Sequence, residues 1–180
     1  MAFVIAAAAS LVAETLLLSA LYKVIRPRDY LKAVRSYRLV RHLDKPVQSL
    51  LAWAAPLAEI AGAALIFVPA TRVAGLALAI AVLTVFYLVV GGDDRPVIAN
   101  CGCWGRSEFG VSHRVLLARN AGLLIISAAT LAGAAAVTPP GHASLPQILA
   151  AAGLALPFSL LALELPELIM LASLRPAPRS

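Results

Sequence analysis

A chain of 180 residues that is 61% hydrophobic and 13% charged, with a mean hydropathy of +0.89, lies far from the soluble norm of roughly 45–50% apolar and 25% charged residues. It has too little polar surface to cover a core in water, which excludes a soluble catalytic domain and makes the bilayer the expected solvent. The net charge of +6 does not point to nucleic acid, because no aromatic-interleaved basic surface accompanies it.

Crossing a hydrocarbon layer of ~30 Å takes about 20 apolar residues. Five segments qualify, at about 2–25, 47–69, 73–90, 116–137 and 145–172. Backbone groups in lipid must find partners within their own segment, so the expected fold class is all-α. The reading is a polytopic helical membrane bundle of about five transmembrane helices, one integral membrane domain over residues 1–180. The first span carries Glu14, lacks a basic leader and stays apolar well beyond the 7–15 residues typical of a signal-peptide core, so it is expected to be retained. It closes at Tyr22-Lys23, where Lys23 can extend its charge toward the headgroups. Pro27 then ends the helix direction.

Between Arg28 and Lys45, Leu31, Val34, Tyr37 and Val40 recur near helical spacing, with Lys32, Arg35, Arg38 and Arg41 between them. The pattern predicts a basic, interfacial amphipathic helix on an anionic membrane surface. A solvated basic loop is the alternative, since charges three residues apart only partly separate two faces.

The second span holds Trp53, suited to anchoring at an interface, and Pro56 followed by Glu59. An acid within a span costs at least ~2.5 kcal/mol on insertion scales, so it needs a role. Glu59 could relay protons or touch a quinone-like electron carrier; equally, it could hold helices together in a buried pair with Arg119. Glu14, inside the first span, raises the same question, while Glu164 and Glu167 lie closer to the end of the fifth, where an interfacial role is expected. The turn from Val68 to Arg72 makes the second and third spans an antiparallel hairpin.

The cysteine loop, residues 91–115, follows. It contains the chain's two cysteines in Asn100-Cys101-Gly102-Cys103-Trp104-Gly105. A disulfide between positions i and i+2 closes a very small ring, near the limit of the usual 4.4–6.8 Å Cα window, and Gly102 supplies the backbone freedom such a ring requires. Strained, exposed disulfides have high reduction potentials and are the labile or catalytic ones. Arg106 and Arg114 would favour thiolate over thiol, and Trp104 could pack over the pair or anchor the loop. The chemical rival is a metal site made by Cys101, Cys103, His113 and His42, a set suited to zinc but at no standard zinc spacing. Arg119-Asn120 opens the fourth span, whose Ala and Gly content permits close helix approach. The fifth, after Thr138-Pro139-Pro140-Gly141, carries Pro157 and Pro166.

Fourteen of the fifteen Lys and Arg residues fall in the first connection, the cysteine loop and its flanks, or the C-terminal tail. The positive-inside rule therefore places those segments in the cytoplasm of a cell inner or plasma membrane.

Asn-Cys-Gly-Cys-Trp-Gly after the third span resembles the Cys-Gly-Cys-aromatic-Gly signature of MauE-type proteins, within the broader MauE/DoxX-like redox-associated membrane group. Lys23, Pro27, Tyr37, Pro56-x-x-Glu59 and Arg119-Asn120 agree with it in order, over roughly residues 10–135; Trp104 stands where phenylalanine is commoner. The resemblance implies thiol–disulfide chemistry centred on Cys101 and Cys103, supporting disulfide formation or maturation of a partner in methylamine utilisation. A thioredoxin-like or client thiol protein would be the partner, with a quinone as a candidate electron carrier. Gly102, Trp104, Glu59, Arg119 and Asn120 are the expected supporting residues. A non-catalytic assembly factor and a Cys/His metal-binding protein are the alternatives, so enzymatic turnover is left open by the residues. Disulfide formation for export belongs outside the cytoplasm, which stands against the side assigned by the charge rule.

Overall fold

The computed structural model of the protein describes residues 2–92, 113–136, 150 and 153–159. Long apolar runs in lipid have no backbone partner except their own preceding turns, and the described residues are accordingly helical, with no strand among them. The elements are α1 (Ala2–Ile25), α2 (Pro27–Ser36), α3 (Lys45–Phe67), a short 3₁₀ turn (Pro69–Thr71), α4 (Arg72–Gly91) and α5 (His113–Ala136). Four helices, α1, α3, the turn with α4, and α5, are long and apolar enough to cross a membrane. Of the fifth expected span, only residue 150 and the helical stretch 153–159 are described. That stretch reaches α1, where Ser159 Oγ donates to Glu14 Oε2 at 3.0 Å.

α1 packs against α3 and α5, and α4 lies against both α3 and α5. The deep core is built largely from small and branched side chains: Ala9, Val12, Ala13 and Leu16 of α1 meet Ala63 and Ile66 of α3 and Leu76 and Ala79 of α4. Small residues let backbones approach, so van der Waals contact replaces the hydrophobic drive that lipid cannot supply. The outer faces carry exposed Leu50, Leu57, Val85, Leu88 and Ile125, a surface suited to acyl chains.

The α3–α4 hairpin is the closest approach. A Cβ at Gly75 would lie 2.6 Å from the Ile66 backbone nitrogen and 2.8 Å from the Leu65 carbonyl carbon. Two side chains satisfy carbonyls left open at the end of α3: Thr71 Oγ1 donates to Leu65 at 2.9 Å and Arg72 Nε to Ile66 at 3.4 Å.

α2 starts with Pro27 in its first turn, where proline's fixed φ and missing N–H are harmless. Its buried residues are Tyr30, Ala33 and Val34, so the apolar face packs onto the bundle and its basic residues Arg28, Lys32 and Arg35 point outward. The helix is shorter than the Arg28–Lys45 pattern predicts. Tyr37 leaves helical geometry at φ −65°, ψ 137°, and a turn follows. An unbroken helix of that length would run straight for roughly 27 Å and carry its apolar residues off the bundle. The break instead folds Tyr37 and Val40 into a cluster with Tyr30, Val34, Ala52, Val90 and Leu116.

Gln48 holds this turn. Its side-chain amide, 7% exposed, donates to the carbonyls of Val40 at 3.2 Å and Leu43 at 2.8 Å. Gln48→Leu keeps the volume and removes both donors. We expect a loss of about 1–3 kcal/mol, mainly from the Leu43 carbonyl, since Val40 still accepts from the Leu43 N–H at 3.0 Å, read as a lower melting temperature of the detergent-purified protein and faster proteolysis between Ser36 and Lys45.

Candidate functional site

Beneath α2 the four long helices do not close on one another, and a cavity of about 290 Å³ remains. Tyr30, Val34, Tyr37 and Val40 roof it; Leu83, Phe86 and Val90 of α4 and Leu116 and Leu123 of α5 form much of its wall. Besides the two tyrosines, six polar side chains line this largely apolar space: Thr15, Ser19 and Lys23 of α1, Glu59 of α3, and Arg119 and Asn120 of α5. Ser19 and Lys23 share a helix face because they are four residues apart.

Lys23 Nζ lies 2.5 Å from Glu59 Oε1, and both residues are 2% exposed. Ser19 Oγ donates to the same oxygen at 3.0 Å. Glu59 Oε2 is buried and accepts no hydrogen bond among the described residues. The Lys23 ammonium also sits 4.1 Å from the Phe86 ring centroid and 5.4 Å from that of Tyr30, close enough for the ring quadrupoles to stabilise the cation. On the other wall, Arg119 Nη2 donates to Asn120 Oδ1 at 3.2 Å. A second hollow of about 120 Å³ touches Lys23 and Tyr30 from the side of α3, bordered by Pro27, Arg28, Leu31, Ala52, Trp53 and Pro56. Pro56 has no N–H, so the Ala52 carbonyl in that hollow lacks its usual helical donor.

Two sequence expectations change. Lys23 does not extend to the headgroups; it is buried, because a carboxylate within contact in a low-dielectric interior holds it more strongly than distant water does. Glu59 is indeed half of a buried pair, but its partner is Lys23, and Arg119 lines the same cavity from α5. Asn120 is brought to the same site. Trp53, 50% exposed on α3, borders the smaller hollow, in keeping with an anchoring position. Ser19, Tyr30 and the pairing role of Lys23 were not anticipated. The available signal was Ser19 and Lys23 at helical spacing on the one span that ends in a base.

Cys101, Gly102, Cys103 and Trp104 lie outside the described residues. The helices that flank them are described: α4 ends at Gly91 and α5 begins at His113. Val89 and Val90, just before the cysteine segment, and Leu116, just after it, line the main cavity. His42 is exposed in the turn before α3, where its Nε2 accepts from Arg41 Nε at 3.2 Å. The side chain of His113 is not among those described, so the Cys/His metal set remains a sequence expectation.

A family model described as "Methylamine utilisation protein MauE" matches residues 1–135, which takes in α1 to α5 and the cysteine segment. No curated protein and no solved structure matches the chain.

Proposed function

The chain belongs to the MauE family of membrane proteins of methylamine utilisation, and from that premise we propose that Cys101 and Cys103 exchange disulfides with a thiol partner during maturation of a client protein. One cysteine thiolate attacks a partner disulfide, forming a mixed disulfide and releasing one partner thiolate. The neighbouring thiolate then attacks the mixed disulfide, closing Cys101–Cys103 and releasing the second partner thiol. Run in reverse, the same two steps oxidise the partner. The observation that carries this reading is the pair itself: the only two cysteines of the chain, one glycine apart, with Arg106 and Arg114 nearby to favour thiolate. A thioredoxin-like partner fits such a step, because its own dithiol reacts through the same kind of intermediate.

Helix alternation supports a common face for the first connection and the cysteine segment, since α1, α3, α4 and α5 run in succession with the α3–α4 turn at the opposite end. The basic-residue asymmetry favours a cytoplasmic placement of that face. A second reading, a docking factor without thiol turnover, rests on the basic outward residues of α2, which offer a surface to an acidic partner or anionic headgroups.

Cysteine trapping tests the first reading. In cells making the protein, Cys101→Ser or Cys103→Ser is expected to accumulate a mixed disulfide visible on non-reducing gels, at least tenfold above wild type for the variant lacking the resolving thiol. The double Cys→Ser variant should show none and fail to complement a deletion. Full complementation by the double variant would instead establish the docking reading, and impermeant maleimide applied to intact cells reads the side of the membrane.

A further inference from the structure

We propose that the cavity beneath α2 binds the ring of a membrane quinone, with Lys23 as donor to the oxidised ring and Glu59 as acceptor from the reduced one. The cavity holds about 290 Å³, at or just below the lower end of the roughly 300–1,000 Å³ of small-molecule sites. That is room for one substituted ring and too little for a dinucleotide or a flavin. Its walls are largely apolar and aromatic, with a few polar groups gathered on two sides, Ser19, Lys23 and Glu59 on one and Arg119 and Asn120 on the other, a combination that fixes the orientation of a mostly apolar ligand.

The hydrogen-bonding inventory narrows the ligand further. An ammonium has three donors, and Glu59 Oε1 engages Lys23 at 2.5 Å, so donor capacity is left for a ring carbonyl. Glu59 Oε2, buried and without a donor among the described residues, is placed to accept from a ligand that carries an O–H or N–H. A quinone presents carbonyl oxygens, and its hydroquinone presents O–H groups at the same two positions. Both redox states therefore find a complement in one ion pair. A fatty-acid carboxylate could pair with Lys23 or Arg119, but it carries no O–H for Glu59 Oε2, whereas a hydroquinone does, which is why the quinone is favoured. Leu39, Leu43 and Leu51 line the cavity and are themselves exposed, which gives an isoprenoid tail a route outward.

The redox step rests on the thiol-exchange reading; the binding site does not. In that step two S–H bonds of Cys101 and Cys103 break and one S–S bond forms. The two electrons and two protons pass to the quinone, whose carbonyl oxygens become the hydroxyls of hydroquinone.

The test is equilibrium binding of decylubiquinone to the full chain purified in detergent, followed by calorimetric titration. Ala55→Phe and Val89→Phe fill the cavity from two different helices and leave Lys23 and Glu59 themselves unchanged. Stoichiometric binding to wild type, weakened at least tenfold by either filling variant that keeps its melting temperature and elution position, is the expected result. The Cys101→Ser, Cys103→Ser double variant should bind as wild type does. Should thiol trapping fail while this binding persists, the thiol chemistry falls and the quinone site stands. No binding to wild type, binding that survives the filling variants, or occupancy by oleate that decylubiquinone cannot displace overturns the proposal.

Discussion

Replacing Lys23 with methionine is expected to destabilise the protein by about 3–5 kcal/mol, the range for removing one partner of a buried ion pair. The effect is large because of what remains. Among the described residues Glu59, 2% exposed, would keep only Ser19 as a hydrogen-bond donor to Oε1, with Oε2 already lacking one. The penalty is that of a carboxylate stranded away from water, and it should appear as loss of monodisperse protein after solubilisation and a much lower melting temperature. Lys23→Met combined with Glu59→Leu removes both charges and should recover most of that loss, since apolar replacements of whole buried pairs are often neutral or better. A double-mutant cycle on melting free energies reads the coupling directly. If the two single changes simply add, the pair is not an energetic unit and its burial has no bearing on stability.

Gly75→Val should be nearly as damaging, by a different route. At this position a Cβ would meet the Ile66 backbone nitrogen at 2.6 Å, Ile66 Cγ1 at 2.8 Å and the Leu65 carbonyl carbon at 2.8 Å. Two of these three atoms are backbone and cannot rotate aside, so α3 and α4 must separate along their hairpin. Overpacking of this kind costs typically about 1–3 kcal/mol and occasionally more; alanine is expected within that range and valine at or above its top. Gly122 and Gly153 are the internal controls, because a Cβ at either meets nothing within 4 Å among the described residues. Alanine there should be neutral or raise helix stability by up to about 1 kcal/mol. Thermal unfolding of the four variants side by side would separate a packing constraint from a general intolerance of substitution at glycine.

The long helices were legible because composition leaves lipid-embedded backbone no other choice. The expected segment at 2–25 coincides with α1, and those at 47–69, 73–90 and 116–137 differ from α3, α4 and α5 by at most three residues at an end. The basic connection was legible as amphipathic but not in its limits. Charges every three residues continue through Arg41, whereas the backbone turns at Tyr37 to bring Val40 over the cavity. The ion pair was hidden for a geometric reason. Counted from apolar span ends, Lys23 lies at the edge of the first span and Glu59 about twelve residues into the second, an apparent offset of roughly 18 Å at 1.5 Å per residue. In the structure the early turns of α3 run beside α2, with Ala52, Trp53 and Pro56 opposite Pro27, Arg28 and Leu31, and this brings Glu59 level with Lys23. Hydropathy carries no information about that stagger. Cys101 and Cys103 were conspicuous in the sequence, and they fall outside the described residues.

The Lys23–Glu59 pair also sets a condition on how the chain enters the membrane. Its halves are 36 residues apart, so α1 emerges from the ribosome and meets the bilayer before Glu59 has been delivered. A lone charge at the centre of a span costs about 2.5–3.5 kcal/mol during insertion, and less near a span end. Lys23, two residues from the end of α1, is placed where its long side chain can stay at the headgroups in that interval. Glu59, in the interior of α3, has no such refuge, and its insertion is eased by arriving beside a base already in place. The order of the two charges along the chain thus favours one sequence of assembly: α1 first, held at the surface by its lysine, then α3, whose carboxylate draws that lysine inward as the hairpin with α4 follows.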